Sequence, residues 1–113
     1  MENANFVWNI DFAWAAGFFD GEGCVMKGWK KGHHRLRVMI VQNDRQPLEW
    51  LKTHFGGTIE KGINHGRAFR WVIEYKKARD FLTVIRPYSK LQKNWDRYEA
   101  PFPICPPVCP PVP

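Results

Sequence analysis

Two carboxylates set the chemical problem. Asp20 and Glu22 fall in the stretch Ala15-Ala16-Gly17-Phe18-Phe19-Asp20-Gly21-Glu22-Gly23-Cys24, at the C-terminal end of a predicted helix rich in small residues. That end of a helix already carries partial negative charge and unpaired carbonyls, so acids there cost stability unless a cation or a donor offsets them. A bound divalent metal ion would do so.

The elements that position these acids follow from capping residues and periodicity. Asn9 is an N-cap and Asp11 lies in the first turn, so residues 10–20 form a helix of about three turns, ended by Gly21 and Gly23. Ala13, Ala16, Gly17 and Asp20 fall at i, i+3, i+4 and i+7 and make a smooth stripe that lets another helix approach closely. Phe12, Ala15 and Phe19 offer a second, bulkier face.

Residues 24–43 contain no acid but carry Lys27, Lys30, Lys31, Arg35 and Arg37 around Gly32-His33-His34, the pattern of a basic β-hairpin. Its second strand alternates: Leu36, Val38 and Ile40 point one way, and Arg35, Arg37 and Met39 the other. Asp44 then caps a helix with Pro47 in its first turn and Leu48, Leu51 and Phe55 on one side, closed by Gly56-Gly57. Residues 58–75 form a second hairpin that turns around Asn64-His65-Gly66. In residues 76–85, Ala78, Phe81, Leu82 and Ile85 recur at helical spacing before Arg86-Pro87 stops the helix.

Composition narrows the partners. A 113-residue chain fits one domain, and dimerisation would help it bury apolar surface. A net charge of +6, backed by six Trp, eight Phe and three Tyr, suggests a folded protein with a polyanionic partner, nucleic acid foremost. No apolar run approaches the ~20 residues of a bilayer span and no secretion signal opens the chain, which points to an intracellular, reduced protein without a membrane partner. Residues 1–99 are read as the single domain. Residues 100–113 hold seven prolines and are read as an extended, solvated tail. In that tail Cys105 and Cys109 make half a metal site at most, while His33, His34 and His54 match no usual zinc spacing.

The string Ala-Ala-Gly-Phe-Phe-Asp-Gly-Glu-Gly closely resembles the LAGLIDADG signature. The αββαββα order that follows is similar to the core of that homing endonuclease family, an α+β fold whose antiparallel sheet forms a DNA-binding saddle. Gly17, Asp20, Glu22 and Gly23 fall at the signature's own positions. The similarity weakens toward Lys93, where the family's C-terminal helices are missing or shortened.

The resemblance implies a function. Members with one signature are homodimers that pack their signature helices on the two-fold axis, a role for Ala13, Ala16, Gly17 and Asp20. The family hydrolyses both strands of double-stranded DNA with Mg²⁺ or Mn²⁺, and an isologous dimer reads a pseudo-palindrome. Glu22 matches the metal-binding catalytic acid, usually Asp, and Gly21 the residue whose carbonyl helps hold the metal. Gln42 matches a glutamine that orders water near the scissile phosphate. The family's basic residue after the third helix aligns with Gln92, with Lys90 and Lys93 nearby, and Gln46 stands where some members carry arginine. DNA contacts carry over to His33, Arg35, Arg37 and Met39, to Lys27, Trp29 and Lys31 on the paired strand, and to Arg67 and Arg70 on the second hairpin. The thinner positive shell keeps a second reading open, a non-cleaving DNA binder or an RNA splicing maturase on the same scaffold.

Overall fold

A computed structural model describes residues 9–103. Helix α1 (Ile10–Glu22) starts where the Asn9 side chain accepts a 3.0 Å hydrogen bond from the Phe12 N–H. It runs into strand β1 (Gly23–Lys30) with no intervening loop. Gly23 makes that junction possible: a Cβ there would lie 2.7 Å from the Phe19 carbonyl oxygen, closer than real Cβ atoms come.

Lys31 (φ 52°) and Gly32 (φ 80°) form the two-residue turn to β2 (His33–Gln42), both left-handed as a tight hairpin with matching twist requires. Helix α2 (Arg45–Phe55) follows, capped by the Asp44 carboxylate on the Gln46 N–H. Then come β3 (Thr58–Gly62), the short turn α3 (Ile63–Gly66), in which Asn64 and His65 are left-handed, β4 (Ala68–Glu74), and helix α4 (Tyr75–Ile85). A 3₁₀ turn (Arg86–Tyr88) leads to a seven-residue helix, α5 (Lys93–Glu99). The α+β order is the expected one, and α5 is the last helix among the described residues.

The four strands pair antiparallel in the order β1-β2-β4-β3. One face of the sheet carries the core: Phe19, Val25, Val38, Ile40, Leu48, Leu51, Trp71, Phe81, Leu82 and Ile85 are all sealed from solvent. Each such side chain contributes ~1.5–3 kcal/mol by leaving water. Phe81 joins the helices to the sheet, its ring 5.8 Å from that of Phe19 and 5.1 Å from that of Trp71, whose indole N–H donates to the Gly56 carbonyl at 2.9 Å.

Strand parity corrects one part of the sequence reading. Lys27 pairs with Leu36 and Trp29 with His34, so both follow Val25 onto the helix side of the sheet. The outward positions of β1 belong to Met26, Gly28 and Lys30, opposite Arg37, Arg35 and His33. Lys31 is an exposed turn residue.

The helix side of this hairpin is covered by the chain's own C-terminal segment. The Lys27 ammonium donates to the Tyr98 carbonyl at 2.8 Å and to that of Ala100, and the Trp29 indole donates to the Pro103 carbonyl at 2.5 Å. His34 stacks on Phe102, with centroids 4.0 Å apart and planes 6° apart. The start of the proline-rich stretch is therefore docked rather than solvated. Cys105, Cys109 and the rest of that stretch lie outside the described residues.

The phase of α1 is a second correction. Ala16 is buried inside the protomer and Asp20 is 6% exposed, so neither belongs to an open stripe. The face turned to solvent carries Ile10, Ala13, Trp14, Gly17 and Gly21, and nothing lies within 4 Å of where a Cβ on either glycine would stand. The real stripe is rotated from the expected one by most of one residue's turn, ~100°. Among the described residues no helix is long and apolar enough to cross a membrane.

Candidate functional site

The two acids of α1 sit in opposite environments. Asp20 accepts hydrogen bonds from the Ser89 hydroxyl at 2.5 Å, the Lys90 N–H at 2.6 Å and the Leu91 N–H at 3.3 Å. Ser89 Oγ in turn accepts from the Trp95 indole at 2.6 Å, and the buried Asn94 amide donates to the Gly23 carbonyl at 3.1 Å. Segment 89–91 and α5 thus clamp the α1–β1 junction. Glu22, two residues after Asp20, is exposed, and its carboxylate pairs with no described residue.

Positive charge lies on the same clamp. Lys90 spends its backbone N–H on Asp20 and exposes its side chain, while Lys93 is the exposed first residue of α5. Gln92 donates its amide to Asp96 at 3.1 Å and so faces its own helix. Gln42 lies two residues past Ile40, the register partner of Gly23, which brings the end of β2 level with the last turn of α1. Its Oε1 accepts from the Asn43 N–H at 2.8 Å.

Among the described residues no three His, Cys, Asp or Glu side chains gather at one point. A protomer therefore offers a divalent cation one carboxylate, Glu22, beside the negative end of a helix. That donor set fits a hard, oxygen-preferring ion whose remaining ligands come from water, phosphate or a second copy.

The outward face of the sheet forms the second part of the site. Arg35, Arg37 and Met39 lie there on β2, as their alternation predicts, and register adds Arg70, Val72 and Glu74 from β4 with Thr58 and Glu60 from β3. Arg67 is exposed where the turn meets β4. The basic residues are interleaved with acids. Glu74 Oε2 contacts Arg35 Nε at 2.7 Å, Arg35 Nη2 at 2.5 Å and Arg37 Nε at 3.0 Å. Glu60 Oε1 contacts Arg70 Nε at 2.7 Å and Nη2 at 2.5 Å.

Sequence reasoning missed both acids, because Glu74 meets Arg37 only through the register of two strands that are not consecutive in the chain. Their alternation with Arg70 and Val72 was the available signal. On the other face, burial pushes the Lys27 ammonium below the usual lysine range while two carbonyls accept from it.

No protein-family model matches the chain. Its fold matches solved structures. The homing endonuclease I-CvuI in complex with its target superposes with a TM-score of 0.64 at 25% identity, over 74% of this chain and 59% of that one. The LAGLIDADG homing endonuclease I-GzeII in complex with a DNA target gives 0.62 at 25% identity, over 74% of this chain and 31% of that one. The homing endonuclease I-TnaI gives 0.58 at 28% identity, over 79% and 67%. The chain thus spans about three-fifths of the length of I-CvuI and a third of that of I-GzeII. With Gly17, Asp20, Glu22 and Gly23 at the signature positions of α1 and the four-stranded sheet behind them, the chain has the fold of the LAGLIDADG homing endonucleases.

Proposed function

We propose that the protein is a homodimeric, site-specific endonuclease that cleaves both strands of double-stranded DNA with a divalent metal ion. The observation that carries this reading is the split between the two acids: Asp20 is consumed by the fold, and Glu22 is left exposed at the end of α1 with no partner among the described residues. An acid at the unfavourable end of a helix with no partner among the described residues points to a cation.

Glu22 and the Gly21 carbonyl would hold Mg²⁺ or Mn²⁺. Such an ion supplies Lewis-acid stabilisation of charge developing on a phosphate oxygen. The open stripe Ile10, Ala13, Trp14, Gly17 and Gly21 gives a second copy room for close helix contact, which would bring two Glu22 carboxylates together. Lys90 and Lys93 stand on the clamp as positive charges for the phosphate, and Gln42, released from Asn43, would orient water. Arg35, Arg37, Arg70 and Arg67 meet the major groove and backbone of DNA laid along the sheet.

The test is cleavage of a randomised duplex library in Mg²⁺, with sequencing of the ends and Glu22→Gln in parallel. Discrete ends clustered on a pseudo-palindrome, absent with the variant, support the reading. Sequence enrichment by binding without any cut replaces it with the second one, a non-cleaving DNA binder or, where RNA is preferred, a splicing maturase. The hydrogen bond that ties the Gln92 amide to Asp96 is what favours that second reading.

A further inference from the structure

The acids on the outward face are unexpected on a surface that meets a polyanion. A carboxylate there repels phosphate, so its presence calls for a local reason. Glu74 is the last residue of β4 and the register partner of Arg37, and its Oε2 serves both Arg35 and Arg37. Glu60 treats its own register partner Arg70 the same way.

The contacts share one geometry. Arg35 and Arg70 each present the Nε–Nη2 side of the guanidinium to a single carboxylate oxygen, at 2.7 and 2.5 Å. A guanidinium is a planar fork with a second edge, Nη1–Nη2, so a carboxylate on the first edge fixes the plane and the direction of the second. Both side chains stay partly open to solvent, Arg35 at 26% and Arg70 at 33%.

Arg37 is the unsatisfied member. Its Nε is sealed from solvent and lies 3.0 Å from the shared oxygen without the alignment of a hydrogen bond. Two guanidiniums around one carboxylate keep a net positive charge and far more N–H donors than the carboxylate can accept. The surplus needs an external acceptor.

The acceptor that matches a planar two-donor edge held in a fixed direction is the O6/N7 edge of guanine in the major groove. A phosphate can also accept from that edge in bidentate fashion, but it accepts from other directions too and so depends less on a holder that fixes one direction. Resting on the DNA-binding reading above, we infer that Glu74 is a positioning residue that turns Arg35 and Arg37 from phosphate clamps into guanine readers, with Glu60 doing the same for Arg70.

The test is binding selection from a randomised duplex library with wild type, Arg35→Ala, Glu74→Gln and Glu74→Asp. The wild type should enrich a site, and Arg35→Ala should erase the guanines that Arg35 reads. Glu74→Gln should weaken the preference at those same guanines by on the order of tenfold and leave the other positions of the site intact. Binding of this variant to arbitrary duplex should be as tight or tighter, with a salt slope steeper by about one, because a charge that opposed phosphate is gone.

Retention of the wild-type guanine preference by Glu74→Gln overturns the inference, as does an Arg35→Ala selection that loses no guanine. Failure of the wild type to enrich any sequence defeats the DNA-recognition reading itself, and that result is seen before any Glu74 variant is compared. Thermal melting checks that each variant folds. Should Glu74→Gln fail to fold, Glu74→Asp keeps the charge and shortens the reach: a weakened guanine preference in it supports the inference, and an unchanged one overturns it.

Discussion

Asp20 and Glu22 are separated by one glycine on the same helix, and the fold treats them as different kinds of residue. Asp20 is 6% exposed and accepts three hydrogen bonds from segment 89–91, whereas Glu22 is exposed and pairs with no described residue. Acid type and spacing alone do not separate a structural carboxylate from a chemical one. What separates them is where the donors of the rest of the chain go: a carboxylate that already accepts three hydrogen bonds from its own chain has less left to offer an ion than one that accepts none.

The sharpest way to break this contrast is Glu22→Gln. Cleavage should fall by on the order of 10² or more while DNA binding and melting temperature hold, measured by gel cleavage and thermal denaturation. Asp20→Ala should do the reverse in kind, lowering unfolding free energy by ~3 kcal/mol in urea titration, because it removes a charged acceptor and strands the Lys90 and Leu91 N–H groups.

Gly17→Leu tests the open face that the pair leaves beside them. No atom lies within 4 Å of its Cβ position, so the protomer should gain up to ~1 kcal/mol of helix propensity while sedimentation shows the dimer lost. A dimer that survives this change would refute the α1 contact. The smallest effect belongs to Ser89→Ala. It removes one donor to Asp20 and one acceptor for Trp95 and should cost ~1 kcal/mol in the same urea titration, with cleavage per folded molecule unchanged.

Much of the fold was legible because local signals agreed. Asn9 and Asp44 cap the helices they precede, Lys31-Gly32 closes the first hairpin, and the alternation of Leu36, Val38 and Ile40 with Arg35, Arg37 and Met39 places both faces of β2. The phase of β1 was not legible, since Lys27 and Trp29 occupy the core parity set by Val25 and the carbonyl acceptors that allow this come from residues 98–103. The phase of α1 failed for a related reason. The helix is apolar on nearly every side, so no polar face fixes its rotation, and Phe19 against Phe81 and Trp95 decides it instead. Glu60 and Glu74 needed the sheet register, which a sequence read strand by strand does not contain.

The clamp on Asp20 also sets an order of events during synthesis. Its donors lie 69 to 71 residues further along the chain, so the last turn of α1 receives its fixed partners only after that intervening stretch has left the ribosome. A polypeptide cut short before Ser89 would carry the complete signature helix, the complete first hairpin and the exposed Glu22, and still lack the strap that fixes them relative to one another. Under the proposed activity, the end of α1 that carries Glu22 therefore depends on contacts from a segment synthesised about seventy residues later.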